Sequence, residues 1–340
     1  MSINQLLQTA IQNKASDLHL VAGLPPILRI SGALRKIKAS PLTKKTVYML
    51  GMAILDKELQ VRFLKNKEMD VAYALPSGER FRVNLLFEKG AVSVAARAIP
   101  KKIPTMKEIN LPEVAVRFTK LPHGLVLITG PTGSGKSTTL ASMINEINNT
   151  RAENIITLED PIEFSFVPNK SIIRQRQLGT DMVTFAEGMK HLLRQDPNVV
   201  MVGEMRDLET ISSALTLAET GHLVFATLHT YSAAQTIDRI IDVFPPHQQP
   251  QIKMQLAMTL RGVVSQQLVP KKGGERYAIR EILINNAAIA NLIREGKVQQ
   301  IQTVLQTSAK AGMFTLEQDI KRAISAKKID AKVAEEYLVK

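Results

Sequence analysis

The sequence has no cysteine and no tryptophan among its 340 residues, and aromatic side chains make up only 4% of it. Without cysteine there can be no disulfide and no cysteine-ligated zinc site, which suits a reducing cytosol. No window approaches the ~18 to 20 apolar residues of a membrane-spanning helix. The N-terminus has a helical stripe interrupted by polar residues, unlike the apolar core of a signal peptide. We therefore expect a cytoplasmic protein without a transmembrane segment.

Positive charge is present in excess, with 44 lysines and arginines against 31 aspartates and glutamates and a formal net charge of +13. Such an excess raises the question of a nucleic-acid or anionic-lipid partner. The basic residues are scattered, however, and no basic stretch is interleaved with aromatic side chains that could stack on bases. We expect no nucleic-acid partner. The length and the 45% hydrophobic content are sufficient for two folded domains.

One short segment carries most of the functional information. Residues 125–129 form an apolar run that is followed by the motif G-x-x-x-x-G-K-[ST] and by a helical pattern. The glycines let successive backbone N–H groups turn towards a phosphate chain, Lys136 places charge on its β and γ oxygens, and Ser137 offers a hydroxyl to Mg²⁺. The spacing predicts that a nucleoside triphosphate is held by Gly130, Pro131, Thr132, Gly133, Ser134, Gly135, Lys136, Ser137 and Thr138.

The pattern of secondary structure changes along the chain. Residues 1–100 alternate short strands with helices and include a hairpin that turns at Lys89–Gly90, which predicts a small α+β domain. Prolines punctuate residues 101–121, the predicted linker. From residue 122 to residue 340 we expect an α/β domain, because apolar, β-branched runs alternate with helical segments as in a parallel sheet.

The last hundred residues are predicted to be mainly helical. A strand-like stretch covers residues 276–284. Helical patterns cover residues 248–267, 287–296, 298–309, 316–326 and 331–339.

Carboxylates follow two of the predicted strands, with Glu159, Asp160 and Glu163 after one and Glu204 after the other. In an open parallel sheet, ligands bind at the C-terminal edge of the strands. Hydrolysis of a triphosphate needs one carboxylate to hold Mg²⁺, directly or through water, and another to orient the attacking water. We expect Glu204, with Ser137, on the metal side and Glu163 beside the water. An isolated carboxylate of this kind is more often a solvated loop or helix-capping acid.

Two histidines bracket a predicted strand, His222 before it and His229 at the edge where ligands bind. Their odd offset places them on opposite faces of a straight strand, so we do not expect them to share a metal. On chemistry alone, His229 is either a γ-phosphate sensor or a satisfied core histidine.

Three arginines have strand-like surroundings in the N-terminal half. Arg80 and Arg82 share a face of an alternating strand, and Arg97 belongs to the next strand. They are either surface charges or arginines that neutralise charge in trans as a γ-phosphate leaves a neighbouring subunit.

Taken together, five segments resemble the secretion and pilus motor ATPases, in particular the PilT-type retraction ATPases of type IV pili. They are similar to the start of the N-terminal domain, the Walker A motif, the Asp box, the Walker B motif and the His box of that family. In the same order they read ASDLHLVAGLPP (15–26), GPTGSGKSTT (130–139), TLEDPIEF (157–164), VGEMRDLET (202–210) and ETGHLVFATLHT (219–230). The resemblance covers essentially the whole chain.

The resemblance implies a RecA-like P-loop ATPase domain joined to a smaller PAS-like α+β domain, assembled as a homo-hexamer that uses ATP and Mg²⁺. In this family, ATP hydrolysis drives domain rotation that pulls pilin subunits from the fibre through an inner-membrane platform protein. That protein, and indirectly pilin, are the partners it implies, at the inner membrane. The site residues it implies are the catalytic Glu163, the Walker B acid Glu204, the nucleotide-site His229, and Arg80, Arg82 and Arg97 reaching the nucleotide from the N-terminal domain.

Pilus-extension and type II secretion motors usually carry a further N-terminal domain and a tetracysteine zinc motif. This chain has no cysteine, and from its length we expect no further domain, so retraction is favoured. One departure is Ala290, in AIANLIRE (288–295), where retraction motors typically have arginine. The alternatives are a related secretion ATPase, a nucleic-acid translocase, and a nucleotide-dependent interaction module that scarcely hydrolyses ATP. The last would usually lose its catalytic carboxylates, and both candidates are retained here.

Overall fold

A computed structural model of the chain describes residues 1–30, 32–99, 102–271 and 276–332. The chain divides into two compact units. The first is Met1–Lys102 with Pro161–Ser165, and the second consists of the described residues of Ile103–Asp160 and Phe166–Lys340. Each unit has its own sheet and its own hydrophobic core. Over the described ranges, no helix is long and apolar enough to cross a membrane.

The first unit is an antiparallel sheet with helices on one face. As far as the chain is described, the sheet has six strands in the order β3-β2-β1-β6-β5-β4. The elements are α1 (Ile3–Gln12), β1 (Asp17–Leu20), β2 (Ile27–Ile30), β3 (Ala33–Lys36), α2 (Lys44–Met52), α3 (Lys57–Asn66), β4 (Glu68–Ala74), β5 (Arg80–Glu88) and β6 (Ala91–Ile99).

Alternation along β5 separates the two faces of this sheet. Phe81 and Leu85 are fully buried, and a Cβ added at Gly51 of α2 would lie 3.2 Å from the Leu85 side chain. Phe63 of α3 stacks on Phe87 of β5, with ring centroids 5.2 Å apart. Both helices therefore cover the face that carries the odd-numbered residues of β5, and the even-numbered residues point to the opposite face.

The predicted hairpin is confirmed, since β5 and β6 pair antiparallel and Glu88 lies opposite Ala91. Two short elements, β3 and α3, were not predicted from the sequence. All four residues of β3 are exposed, so the strand has no apolar alternation to reveal it.

The second unit has a mostly parallel sheet with helices before, between and after its strands. Among the described residues of this unit, three short 3₁₀ helices cover Arg117–Lys120, Val298–Gln300 and Ala309–Ala311. The other elements are α4 (Glu113–Val116), β7 (Gly124–Thr129), α5 (Lys136–Thr150), β8 (Asn154–Glu159), β9 (Ile172–Gln177), α6 (Phe185–Leu192), β10 (Val199–Val202), α7 (Leu208–Glu219), β11 (Leu223–Leu228), α8 (Ala233–Asp242), α9 (Gln249–Thr259), β12 (Leu260–Pro270), β13 (Arg276–Ile284), α10 (Ala287–Glu295), α11 (Ile301–Thr307) and α12 (Leu316–Ser325).

The strand order of this sheet is β13-β12-β7-β11-β10-β8-β9, and every neighbouring pair is parallel except β12 with β13. The four predicted strands of the parallel sheet are confirmed as β7, β8, β10 and β11. Every residue of β7 and β11 is buried, as expected for strands covered on both faces. The segments that follow these four parallel strands therefore meet at one edge of the sheet.

The helix predicted over residues 248–267 is wrong in its second half. α9 ends at Thr259, and β12 continues from Leu260 between β13 and β7. Val263 and Val264 are both fully buried. The sequence of a segment that is apolar on both faces is compatible with either a helix or a strand. Pairing with β7 makes this segment a strand.

The remaining C-terminal predictions are mostly confirmed. The patterns at 276–284, 287–296 and 316–326 correspond to β13, α10 and α12. The pattern at 298–309 is divided into short helical pieces that include α11. The helix predicted over 331–339 falls mostly outside the described residues.

Candidate active site

The glycine-rich loop joins β7 to α5, and three of its glycines have a left-handed or similarly unusual backbone. The φ angles of Gly130, Gly133 and Gly135 are 143°, 78° and 87°. Residues with a side chain rarely adopt such angles. A Cβ at Gly130 would also lie 2.1 Å from the backbone oxygen of Gln266. Backbone conformation and close approach therefore both require glycine at position 130.

Lys136 is the first residue of α5 and is 8% exposed. Its Nζ donates to the carbonyl oxygens of Gly130, at 2.8 Å, and Pro131, at 3.1 Å. The loop thus folds around the ammonium group and holds its positive charge inside the turn. The phosphates of a nucleotide would be bound at this charge.

The loop and the first turn of α5 fit a phosphate chain. The Ser134 hydroxyl oxygen is buried and has no hydrogen-bond partner among the described residues. Buried hydroxyls ordinarily have one, and a phosphate oxygen would supply it. Ser137 and Thr138 are half-buried in the first turn, where the helix N-terminus favours anions. The Ser137 hydroxyl is a suitable ligand for Mg²⁺, which proteins hold through few side chains together with phosphate oxygens.

Gln266 of β12 is part of this site and could not be found from the sequence. Its side chain is 2% exposed. Nε2 donates to the Ser134 carbonyl at 2.8 Å, and Oε1 accepts from the Thr139 hydroxyl at 2.9 Å. Gln266 and Thr139 are 127 positions apart. The segment that contains Gln266 was predicted to be helical, and a helix there would not be paired with β7 next to the phosphate loop.

Glu204 follows β10 and is contacted from two sides. Arg206 donates to Glu204 Oε2 at 2.7 Å. His229 Nε2 lies 3.3 Å from Oε1. His229 follows β11, which lies between β7 and β10 in the sheet. Glu204 and His229 therefore follow the next two strands on one side of β7, the strand that leads into the phosphate loop. The His229 side chain is 40% exposed, so His229 lies at the sheet edge and is not a core histidine.

The charge state of Glu204 follows from these neighbours. Burial raises the pKa of the carboxyl group, but the hydrogen bond from Arg206 and the electrostatic interactions with His229 and Arg206 outweigh burial. The pKa of Glu204 therefore lies below its ordinary value of 4.5. The side chain is an anion at neutral pH, the form that could hold a cation directly or through water.

The end of β8 lies close to the end of β10, because Gly203 N–H donates to the Leu158 carbonyl at 2.7 Å. Glu159 is 6% exposed, and its Oε1 accepts from the Thr157 hydroxyl at 2.6 Å and from Gln175 Nε2 at 3.1 Å. Asp160, the next residue, is exposed. The carboxylate that ends β8 is therefore enclosed, whereas the one that follows the strand is in solvent.

The other predicted catalytic residues belong to the first unit. Glu163 is exposed and lies in the segment Pro161–Ser165. Arg80, Arg82 and Arg97 lie on the sheet face opposite the helices. The structure therefore brings Glu204 and His229 together within the second unit and places the three arginines on one face of the first.

On that face, the acidic side chain of Asp17 lies between two arginines, Arg29 and Arg97. Arg82 and Arg97 are direct partners across β5 and β6. Asp17 Oδ1 accepts from Arg97 Nε at 2.8 Å, and Arg29 Nε lies 3.7 Å from Asp17 Oδ2. Like charges on facing strand positions are unfavourable, so Asp17 offsets part of this repulsion. Arg29 was not predicted as a site residue. The pairing of β1 with β2 places it opposite Asp17, on the same face as the other arginines.

Two further residues singled out from the sequence lie elsewhere. His222, at the opposite end of β11 from His229, has Nδ1 at 3.0 Å from the Leu217 carbonyl and 3.1 Å from the Thr220 hydroxyl. Ala290 is half-buried on α10 and packs against the main core of the second unit.

Comparisons with known proteins agree with this geometry. A family model described as "Type II/IV secretion system protein" matches residues 1–334. The type IV pilus retraction ATPase PilT of Pseudomonas aeruginosa is 46% identical over 325 residues, which cover 96% of this chain and 94% of that protein. A twitching motility protein of Neisseria gonorrhoeae is 42% identical, over 95% of this chain and 87% of its own.

The crystal structure of the pilus retraction motor PilT with bound ADP has a TM-score of 0.93 to this chain, at 43% identity, and the match covers 99% of this chain and 96% of that one. The predicted fold class is thereby confirmed as an α/β RecA-like P-loop ATPase domain with a smaller α+β N-terminal domain. The chain belongs to the family of type II/IV secretion system proteins.

Proposed function

We propose that this protein is a Mg²⁺-dependent ATPase that drives retraction of a type IV pilus as a homo-hexameric motor. One observation carries the proposal: a glycine-rich loop around the buried Lys136 shares a sheet edge with the ionised Glu204, which His229 contacts. Relatives named as a pilus retraction ATPase and a twitching motility protein, and a structural neighbour with bound ADP, support the nucleotide and the pilus assignment.

Binding of ATP rests on the loop and on the first turn of α5. The backbone N–H groups of Gly130 and of residues 132–138, the Ser134 hydroxyl and Lys136 bind phosphate oxygens. Ser137, together with Glu204 directly or through water, would hold Mg²⁺. The chemistry that Mg²⁺ would supply there is positive charge that offsets the negative charge of the phosphates.

Hydrolysis requires a positioned water and positive charge. Glu163 orients the attacking water by accepting its hydrogen bond. His229 contacts the γ-phosphate and holds the Glu204 carboxylate in place. Arg80, Arg82 and Arg97 supply positive charge to the phosphates in the assembled ring.

Residues 1–100 act as a PAS-like domain, 101–121 as the linker and 122–340 as the ATPase domain. Rotation of the domains through the linker passes force to an inner-membrane platform protein and indirectly to pilin. The motor works in the cytoplasm, at the inner membrane. A related secretion ATPase and a nucleic-acid translocase are the competing functions, and the net charge of +13 is the observation behind the translocase.

The test measures ATP turnover and mass in solution for the wild type, Glu163→Gln and Glu204→Gln. Glu209→Gln changes an exposed carboxylate of α7 and serves as the matched control. We expect a wild-type hexamer that turns over ATP, loss of turnover in both test variants, and no loss in the control. Complementation of twitching by the wild type alone then tests retraction. Full turnover by Glu163→Gln would remove its assigned role, and salt-sensitive stimulation of turnover by DNA would favour the translocase.

A further inference from the structure

We infer that Gln266 is the residue that positions the phosphate loop of this protein, by fixing the loop at both ends from the neighbouring strand. The inference deepens the proposed function and rests on it, because the loop is taken to bind the phosphates of ATP. It differs from that proposal in assigning a role to β12, a strand outside the motif.

Gln266 is in contact with the first and the last glycine of the loop. A Cβ added at Gly130 would lie 2.1 Å from the Gln266 backbone oxygen, and one added at Gly135 would lie 3.3 Å from Gln266 Nε2. Between these glycines, the Gln266 amide donates to the Ser134 carbonyl at 2.8 Å. The loop therefore lies directly on this residue, through its backbone and its side chain.

The hydrogen bond to Ser134 determines the direction of the next amide group. A peptide unit is planar and trans, so the Gly135 N–H points opposite to the Ser134 carbonyl. Since that carbonyl points to Gln266, the Gly135 N–H points away from β12. Gly135 also has a φ of 87°, and glycine is conformationally freer than other residues, so a fixed contact beside it restricts the loop. Gln266 thus holds one phosphate-binding N–H group in a fixed orientation.

The second hydrogen bond of Gln266 connects the same amide to α5. Oε1 accepts from the Thr139 hydroxyl at 2.9 Å, and both residues are 2% exposed. Thr139 lies one helical turn after Gly135, and its N–H donates to the Gly135 carbonyl at 3.0 Å. One buried amide therefore joins the loop to the helix whose N-terminus faces the same phosphates.

The test compares Gln266→Met, which keeps the shape but removes both hydrogen bonds, with Gln267→Met. Gln267 is the next residue on β12, and its side chain leaves the strand on the opposite face. The dissociation constant of ADP, KM for ATP, kcat and the melting temperature without nucleotide are measured for each. Thr139→Val removes only the hydroxyl, and Thr139→Ser keeps it.

We expect Gln266→Met to weaken ADP binding and raise KM by about tenfold, the size of one lost hydrogen bond, with a smaller change in kcat. Thr139→Val should weaken ADP binding less, Thr139→Ser should restore it, and adding Thr139→Val to Gln266→Met should have little further effect. If Gln266→Met does not fold, the two Thr139 variants decide the question.

An ADP affinity near the wild-type value in folded Gln266→Met would overturn the inference. A lower melting temperature with unchanged affinity would mean that Gln266 only stabilises the fold. Equal weakening by Gln267→Met would assign the effect to β12 in general. Failure of the wild type to bind ADP would instead refute the proposed function, so the two claims are tested separately.

Discussion

His229 Nε2 lies 3.3 Å from Glu204 Oε1, which joins the side chains that follow two adjacent parallel strands. The two residues are 25 positions apart in the chain, yet the register of β10 with β11 pairs Val202 with Ala226. Glu204 is two residues beyond Val202 and His229 is three beyond Ala226, so the two lie at nearly the same level. The His229 side chain is more exposed than the Glu204 carboxylate that it contacts. A histidine in this position is suited to contact a phosphate group bound next to the carboxylate.

Replacing His229 by alanine should lower ATP turnover on the order of 100-fold, because it removes a hydrogen-bond donor directed at the reacting phosphate. Because the side chain is 40% exposed, the melting temperature should change little. Turnover and thermal unfolding measured on the same preparation check both expectations.

His222→Ala is the control for that substitution, at the other end of β11. Its ring contacts the Leu217 carbonyl, so its loss should cost about 1 kcal/mol of stability and leave turnover intact. The opposite pattern, with a stability loss only in His229→Ala, would make His229 a structural residue.

Arg206→Met should shift the acid limb of ATP turnover to higher pH. In the wild type, burial is outweighed by the hydrogen bond from Arg206, and the pKa of Glu204 is lower than 4.5. Without that hydrogen bond the pKa rises, so the carboxylate takes up a proton at a higher pH and loses its charge. A pH profile of turnover checks this, with Arg206→Lys expected to shift less because it keeps the positive charge. Superimposable profiles would contradict the assignment.

Asp17→Asn should lower the free energy of unfolding by about 1 kcal/mol at neutral pH. Burial raises the pKa of Asp17, but hydrogen bonds from Arg97 and Ser16 outweigh burial and bring the pKa below 3.8. The ionised form therefore contributes stability that is fully present above that value and is lost as pH falls through the lowered folded-state pKa. Urea unfolding over a pH series should show the two proteins converging in acid.

Asp70→Asn is the matched control for Asp17. Its carboxylate lies 3.5 Å from Arg82, but its side chain is 52% exposed, so its removal should have almost no effect. Equal losses in the two variants would show that position on the sheet, and not the enclosed ion pair, determines the stability.

Gly130→Ala should destabilise the protein by roughly 3 kcal/mol and abolish ADP binding, because its Cβ would lie 2.1 Å from a backbone oxygen of β12. Gly221→Ala is the comparison, since Gly221 also has a positive φ, of 100°, but no atom within 4 Å of the added Cβ. That variant should lose about 1 kcal/mol from backbone strain alone. Chemical unfolding and calorimetric titration with ADP separate the two contributions.

Much of the nucleotide site could be predicted because the motif is local. Gly130 to Thr138 are consecutive, and the glycines, Lys136 and Ser137 are chemically suited to phosphate wherever the loop is placed. Strands β7, β8, β10 and β11 could be predicted because their apolar runs are continuous and are separated by helical patterns. The edge at which Glu204 and His229 follow their strands came from the general geometry of parallel sheets.

Other parts of the molecule could not be predicted because they depend on pairing between distant segments. β12 was mistaken for the end of a helix, so Gln266 was not recognised as a neighbour of Ser134 and Thr139. Arg29 was overlooked because only the register of β1 with β2 places it beside Asp17. Arg206 is exposed and is close to Glu204 in sequence. Its hydrogen bond to Glu204 depends on the direction in which both side chains point, and sequence spacing does not specify that direction.

The sequence by itself determined that this chain has a phosphate-binding loop, which strands precede the acidic and histidine residues, and which family it resembles. These properties follow from the types and spacing of neighbouring residues. The tertiary structure alone decided that β12 lies beside β7, that Gln266 holds the loop, and that Asp17 separates two arginines. Hydrogen bonds between segments more than 70 residues apart depend on how strands pair, and local chemistry does not specify that pairing.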